Sequence, residues 1–410
     1  MQRNGHAREA ETITPPDAAL PLEGLVVADF SRVLAGPLAT LALADLGARV
    51  IKVERTGTGD DTRQWGPPFS ESSSTYFDAV NRNKESIALD LGSADDVKVA
   101  VALAERADIL VENFRSGVMD RLGLGYDAIS ARNPRIIYAS VTGFGSGAGA
   151  AMPGYDFVVQ ALGGLMSVTG AADGPGMKSG VALVDVLTGK DLVAGVLAAL
   201  LSRSASGRGS RIELDLLSSS LGALANQAQA WLGAGVLPGR LGNVHPSIAP
   251  YQTLRCADGD LAVACGTDGQ FRQLVDALGV PELVADERFV ANSARVVNRV
   301  QLVDLLEARL ATDTAANWER ALGERGVPAG HVASIAEGIE LAERLGLDPT
   351  LEVISSSGDR RGRQIRNSVR WTPALPVRSA APPLLDEHGD SIRTWLGASP
   401  RHTNGKVQAS

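Results

Sequence analysis

The sequence predicts an α/β fold, a doubly wound sheet with helices on both faces, followed by a smaller α+β unit. Three observations carry this expectation. Short β-rich apolar runs alternate with Ala/Leu-rich helical stretches from residue 24 to about 234. The first two runs, 24–30 and 49–54, bracket a single helical stretch, and a strand–helix–strand unit of that size implies parallel strands and a right-handed crossover. Near 235–250 the texture changes to GAGVLPGRLGNVHPSIAP, a Gly- and Pro-rich stretch that reads as a linker or loop.

Each element follows from its residues. GLVVADF (24–30) is the first strand. Gly36-Pro37 opens a helix over 38–46 that stops at Gly47, with Pro near its start and Gly just past its end. RVIKVE (49–54) and SIALDL (86–91) are strands, and 94–106 is a helix. ADILVENF (107–114) is a strand, with short helical pieces to about 132. PRIIYASVTGF (134–144) is the next strand, running into a Gly-rich loop at 143–149. Residues 155–165 are helical. After Asp185 the apolar pairs 192/193, 196/197 and 200/201 recur every four residues, a buried helix face. SRIELDLL (210–217) is a strand and 218–234 a helix. A hairpin at 251–265 and helices near 268–278, 299–311 and 314–324 form the smaller unit, 240–330. Short strands near 350–354 and 364–370 precede a Pro-rich run at 373–383. The polar ends, 1–20 and 399–410, read as mobile tails.

Composition narrows the function classes. Of 410 residues, 44% are hydrophobic and 21% charged, which excludes a disordered or collagen-like chain. The net charge of −8 argues against non-specific nucleic-acid binding, which rests on phosphate neutralisation. It leaves room for a local basic pocket. Lysine occurs only at 52, 84, 98, 178, 190 and 406; the remaining cations are Arg, which suits bidentate phosphate contacts. The start of the chain lacks an apolar leader, and the most apolar stretch, 192–201, is about half a membrane span, so a soluble protein with no membrane partner is expected. Cys256 and Cys265 flank Asp258-Gly259. With a two-residue turn there, Cys256 faces Leu261 and Cys265 faces Gln252, so no disulfide forms and a reducing, cytoplasmic compartment is expected. The histidines at 6, 245, 331, 388 and 402 show no metal-ligand spacing, and no metal is expected.

The turn after the first strand, Ser31 to Pro37, lacks GxGxxG, so Glu54 at the end of the second strand reads as a surface or pairing carboxylate rather than a ribose ligand. GFGSGAG (143–149) is neither a Walker A loop nor a GxSxG elbow and reads as a turn. Asp185, in GVALVDVLTGK before a long apolar helix, fits two roles: an N-cap, or a carboxylate held ionised by a helix N-terminus and able to attack an electrophile.

These residues carry a resemblance. LEGLVVADFSRVLAGPLATLALADLGARVIKVER, NRNKESIALDL, ADILVENFRSGVMDRLGLGY, PGYDFVVQALGGLMSVTG, GVALVDVLTGKDLVAGVLAALLSRSASGRG and GNVHPSIAPYQTLRCADG occur in this order between about 21 and 385. The chain resembles the family III CoA-transferases, which include the formyl-CoA:oxalate, carnitine and dicarboxylate CoA-transferases and the 2-methylacyl-CoA racemases. The resemblance implies a Rossmann-like large domain at 21–235, a small domain at 240–330, a return to the large domain at 335–398, and an interlocked homodimer. It implies no permanently bound cofactor; CoA or acyl-CoA is a substrate, together with a small carboxylic acid.

It also implies site residues. The family nucleophile falls on Asp185, which attacks an acyl-CoA thioester to give a mixed anhydride and then an aspartyl-CoA thioester. CoA contacts fall on Val33, Leu34, Ala35, Arg55, Leu89, Leu91, Asn113, Phe114, Arg115 and Arg121, and on Gly154, Tyr155 and Asp156 around the thioester. Racemases carry a His where this chain has Tyr155; a phenol of pKa about 10 is a poor partner for α-proton exchange, which favours transfer over the alternative, racemisation. Gly242-Asn243 remain of the formyl-CoA-type loop, but His245 to Pro250 replace its glycine run, which argues against oxalate and formate. The resemblance points instead to succinyl-CoA and a dicarboxylate, whose distal carboxylate His245 or Arg240 would meet.

Overall fold

The computed structural model describes residues 19–70 and 73–397, so both expected tails lie outside the described residues apart from 19 and 20, as do His6 and His402. The chain forms two units. The first takes residues up to Gly163, Gly180–Ala228, and the chain from Asp348 onward; the second takes Gly164–Ser179 and Gln229–Leu347.

The first unit is built on a six-stranded parallel sheet of order β3-β2-β1-β4-β5-β6. Its strands are β1 (Val26–Asp29), β2 (Arg49–Arg55), β3 (Lys84–Leu89), β4 (Ile109–Glu112), β5 (Ile137–Thr142) and β6 (Ser210–Asp215). The order reverses between β1 and β4, and open α/β sheets bind ligands beyond the strand C-termini at such a point. The expected helices lie at Ala35–Asp45, Ala94–Arg106 and Leu183–Ser206.

Side chains alternate across the strands. On one face Ala28, Ile51, Val53, Ile87 and Leu89 join the core with Leu103, Tyr138 and Ile392. On the other face of the same strands stand Asp29, Lys52, Glu54, Lys84 and Ser86, all buried. Glu54 is the pairing carboxylate the sequence suggests, but not a surface one: both its oxygens accept from Arg63 at 2.7 Å and one accepts from Ser86 Oγ at 2.7 Å.

The second unit has an antiparallel sheet, β7 (Tyr251–Arg255), β8 (Asp260–Ala264) and β9 (Ala329–His331). It packs on helices that include Asp268–Ala277 and Arg299–Leu310 through Leu254, Leu261, Val263, Phe271 and Leu306. The hairpin register corrects the sequence reading. Leu254 faces Leu261, and Cys256 N–H meets the Gly259 carbonyl, so the turn is Ala257-Asp258. Gly259 does not adopt the positive φ that an Asp-Gly hairpin turn requires. Asp258 instead accepts the N–H of Ala315 at 2.8 Å, capping the helix Ala315–Gly323. Both cysteines are free.

The chain re-enters the first unit with the hairpin β10 (Thr350–Ile354) and β11 (Arg360–Ile365). The second strand lies earlier than the expected 364–370, because it pairs across a tight Ser355–Asp359 turn and shows its Arg-rich edge to solvent. No helix among the described residues is long and apolar enough to cross a membrane.

Candidate active site

β1 ends at Asp29 and the chain turns through Ser31 to Leu34 into the helix Ala35–Asp45, whose N-cap Leu34 has no side-chain cap. The turn is fixed from outside. Asn113, just past β4, accepts the Arg32 N–H at 2.9 Å and donates its amide to the Arg32 carbonyl at 2.7 Å. Val33 has φ 70°, a region that excludes β-branched residues almost completely and costs roughly 1–3 kcal/mol. Its N–H donates to the two Asp60 oxygens at 3.3 and 3.4 Å. Asp60 is buried against Lys52, with Nζ 2.8 Å from Oδ2, and Lys52 also donates to the Ser31 carbonyl at 2.9 Å. Burial alone would raise the Asp60 carboxyl; the Lys52 ammonium and the Thr62 hydrogen bonds outweigh it and hold it down to about 2. Lys84 completes the cluster by reaching Asp29 at 3.2 Å and the Pro37 carbonyl at 2.9 Å.

Asp185 lies in the first turn of Leu183–Ser206, and it is not the N-cap. That position is Ala182, and the first-turn N–H groups of Val184 and Asp185, which have no partner within the helix, are taken by Asp156 Oδ1 at 2.8 and 3.2 Å. The other Asp156 oxygen accepts from Gln160 at 2.6 Å. The Asp185 carboxylate is therefore free of local hydrogen-bond duty. Its pKa is raised rather than lowered at this helix end: burial, then the charge of Asp156, pushes it up to about 7.

An open cleft lies beyond the C-terminal ends of β1, β4 and β5. It brings together Val33, Leu34, Ala35, Asn113, Phe114, Arg115, Gly154, Tyr155, Asp156 and Asp185. The loop 143–149, read from sequence only as a turn, also lines it. A Cβ on Gly143 would come 2.6 Å from Gly154 Cα, so this close approach needs glycine on both sides.

Other expected positions lie outside the cleft wall. Leu89 is 1% exposed in the core, so its side chain offers no face to an adenine; Leu91 is half-buried against the same core. Arg55 is exposed and pairs with Asp61 at 3.6 Å, and Arg121 is exposed at the end of the short helix Val118–Arg121. Gly242, Asn243 and His245 belong to the second unit. There Gly242 donates to the Gly170 carbonyl at 2.9 Å, Asn243 to Thr253 Oγ1 at 3.2 Å, and the His245 ring meets Tyr251 edge-on at 5.0 Å. His245 Nδ1 accepts from Ser247 N–H at 3.1 Å.

Three residues at this end of the sheet were not singled out from sequence. Arg32 lines the cleft, stacks 5.0 Å above Phe114 and shares Asp61 with Arg55. Asp61 lines it too. Tyr76 feels the site: burial, then the charges of Asp185, Asp156 and Asp60, push its phenol up to about 12.

A model of "CoA-transferase family III" matches residues 22–389, nearly the whole described chain. The chain belongs to CoA-transferase family III. It is an enzyme that transfers CoA between an acyl-CoA and a carboxylic acid. A succinyl-CoA:glutarate CoA-transferase of Mus musculus is 40% identical over 400 residues, covering 96% of this chain and 89% of that protein. An acetyl-CoA:oxalate CoA-transferase of Acetobacter aceti is 38% identical, covering 94% of this chain and 98% of that protein. Among solved structures, a CAIB/BAIF family protein from Brucella suis superposes with a TM-score of 0.84 at 41% identity, covering 92% of this chain and 100% of that one.

Proposed function

We propose that this family III transferase takes CoA from succinyl-CoA and passes it to a dicarboxylic acid through covalent intermediates on Asp185. The observation that carries the proposal is the Asp185 carboxylate itself. It opens into the same cleft as the turns after β1 and β4, and Asp156, not Asp185, caps its helix.

An Asp185 oxygen attacks the thioester carbonyl and CoA leaves as thiolate, giving a mixed anhydride. The thiolate attacks the aspartyl carbonyl and expels succinate, leaving an aspartyl-CoA thioester. The acceptor carboxylate attacks that carbonyl and releases the thiolate, which then takes the new acyl group and frees Asp185. Each step exchanges one activated acyl bond for another. Burial and the Asp156 charge penalise the free carboxylate but not its neutral acylated form, so the surroundings that raise the Asp185 pKa favour acylation.

In this reading the Val33–Ala35 turn, Asn113 and Phe114 take the nucleotide end of CoA, and Arg55, Arg115 and Arg121 its phosphates. Leu91 borders the adenine, and Gly154, Tyr155 and Asp156 the thioester. Gly242, Asn243, His245 and Arg240 serve the acceptor. Relatives named for glutarate and mesaconate support the dicarboxylate choice, while one named for oxalate keeps oxalate in the acceptor panel. The active form is an interlocked homodimer, and the two free thiols fit a reducing cytoplasm.

The test is a panel of acceptor acids with succinyl-CoA as donor, alongside light scattering. Glutarate or another dicarboxylate longer than oxalate, preferred over oxalate and formate, at twice the chain mass, supports the proposal. Oxalate preferred, or a monomer, counts against it.

A further inference from the structure

The turn proposed to receive CoA holds Val33 in a strained conformation, and the cause lies beneath it. Five backbone groups from Ser31 to Val33 are held by side chains. The Ser31 N–H meets Asp29, the Ser31 carbonyl meets Lys52, Asn113 takes both Arg32 groups, and Asp60 takes the Val33 N–H. Asp29, Lys52 and Asp60 are each no more than 1% exposed. Asp29 and Lys52 are direct cross-strand partners in the β1–β2 register, so the sheet itself sets their spacing.

We propose that Asp60, anchored by Lys52, is a positioning residue for acyl-CoA binding. Its carboxylate pins the Val33 N–H and keeps the turn in the left-handed conformation before the substrate arrives. The entropy of ordering the turn is then spent in folding rather than in binding, which tightens CoA binding without touching the chemical step. The inference rests on the reading of Val33–Ala35 as a CoA contact.

Two measurements test it. In the wild-type protein, amide hydrogen exchange at Val33 is slow without ligand and changes little when CoA is added. A Val33 amide that exchanges freely until CoA binds overturns the proposal, and this readout needs no variant to fold.

The second is calorimetric CoA binding to Lys52→Met/Asp60→Leu, which removes the pair without leaving a lone buried charge. The Kd rises about tenfold or more while kcat at saturating acyl-CoA stays within about threefold. Lys52→Met/Asp60→Asn, which keeps an acceptor for Val33, recovers most of the affinity. A folded Lys52→Met/Asp60→Leu protein that binds CoA like wild type overturns the proposal. Leu34→Glu separates the two layers: if it leaves CoA binding unchanged, the turn is not a CoA contact and the underlying reading fails. If it abolishes binding while the Lys52/Asp60 variants bind normally, only the positioning role fails.

Discussion

Asp156 Oδ1 accepts the backbone N–H groups of both Val184 and Asp185, at 2.8 and 3.2 Å, so one carboxylate caps the helix that carries the other. The arrangement places two negative groups at one helix end with a single set of donors between them. Asp156 has the donors, and Asp185 faces the cleft.

The first consequence is a pH profile. Asp185 is pushed up to about 7, and a nucleophilic Asp185, as proposed, attacks a thioester only when ionised, so kcat/KM climbs as pH rises through about 7 and then levels. Asp156→Asn keeps an oxygen for the cap but removes the charge, so the rising limb moves to lower pH. A limb that stays in place shows that Asp156 does not set the ionisation of Asp185.

The same shift has a stability side. The folded-state pKa lies above the ordinary value of 3.8, so the folded protein holds that proton more tightly than the unfolded chain. The cost of ionising Asp185 in place is absent below 3.8, grows between 3.8 and about 7, and is fully present above. Asp185→Asn therefore raises the Tm at pH 8 and leaves it nearly unchanged at pH 4. Equal Tm changes at the two pH values contradict this.

In the proposed reading, in which arginines at this end of the sheet meet the phosphates of CoA, Asp61 competes with those phosphates for Arg32 and Arg55. Both pairs are 3.6 Å long and partly exposed, worth at most about 1 kcal/mol each. Asp61→Asn frees both guanidinium groups, so CoA Kd falls by up to about fivefold at low salt, and the gain fades as salt screens it. An unchanged Kd at low salt removes these two cations from the phosphate site.

Among the described residues Arg295 is the largest fully buried side chain, and it ties parts of the second unit together. It donates to the carbonyls of Ala249 at 2.8 Å and Phe289 at 3.0 Å and reaches Asp268 at 2.6 Å. Arg295→Ala leaves two buried carbonyls unsatisfied and a cavity against Phe271, and costs about 3 kcal/mol in urea unfolding. A loss under about 1 kcal/mol means that water replaces the guanidinium.

Strands β1, β2, β4 and β5 were legible because each is a β-rich run buried along most of its length, and Ala94–Arg106 matches its expected limits residue for residue. What escaped depends on partners distant in sequence. At the hairpin turn Asp258 meets the first residue of a helix that begins 57 residues later, and the cap on Leu183–Ser206 comes from Asp156, 28 residues before the Val184 it binds. Asp29, Lys52 and Lys84 stand in plain view as charges within apolar strands. Only the register of the sheet shows that they converge under the Val33 turn. Leu89 read as a ligand contact by resemblance, but strand alternation turns it into the core.

The central claim is a covalent bond to Asp185, and intact-protein mass spectrometry after incubation with succinyl-CoA, with hydroxylamine as the trap, tests it most directly. A hydroxamate mapped to Asp185 and absent from Asp185→Ala is the predicted result. No adduct with succinyl-CoA or a short panel of other acyl-CoAs, in protein that still transfers CoA, contradicts the account.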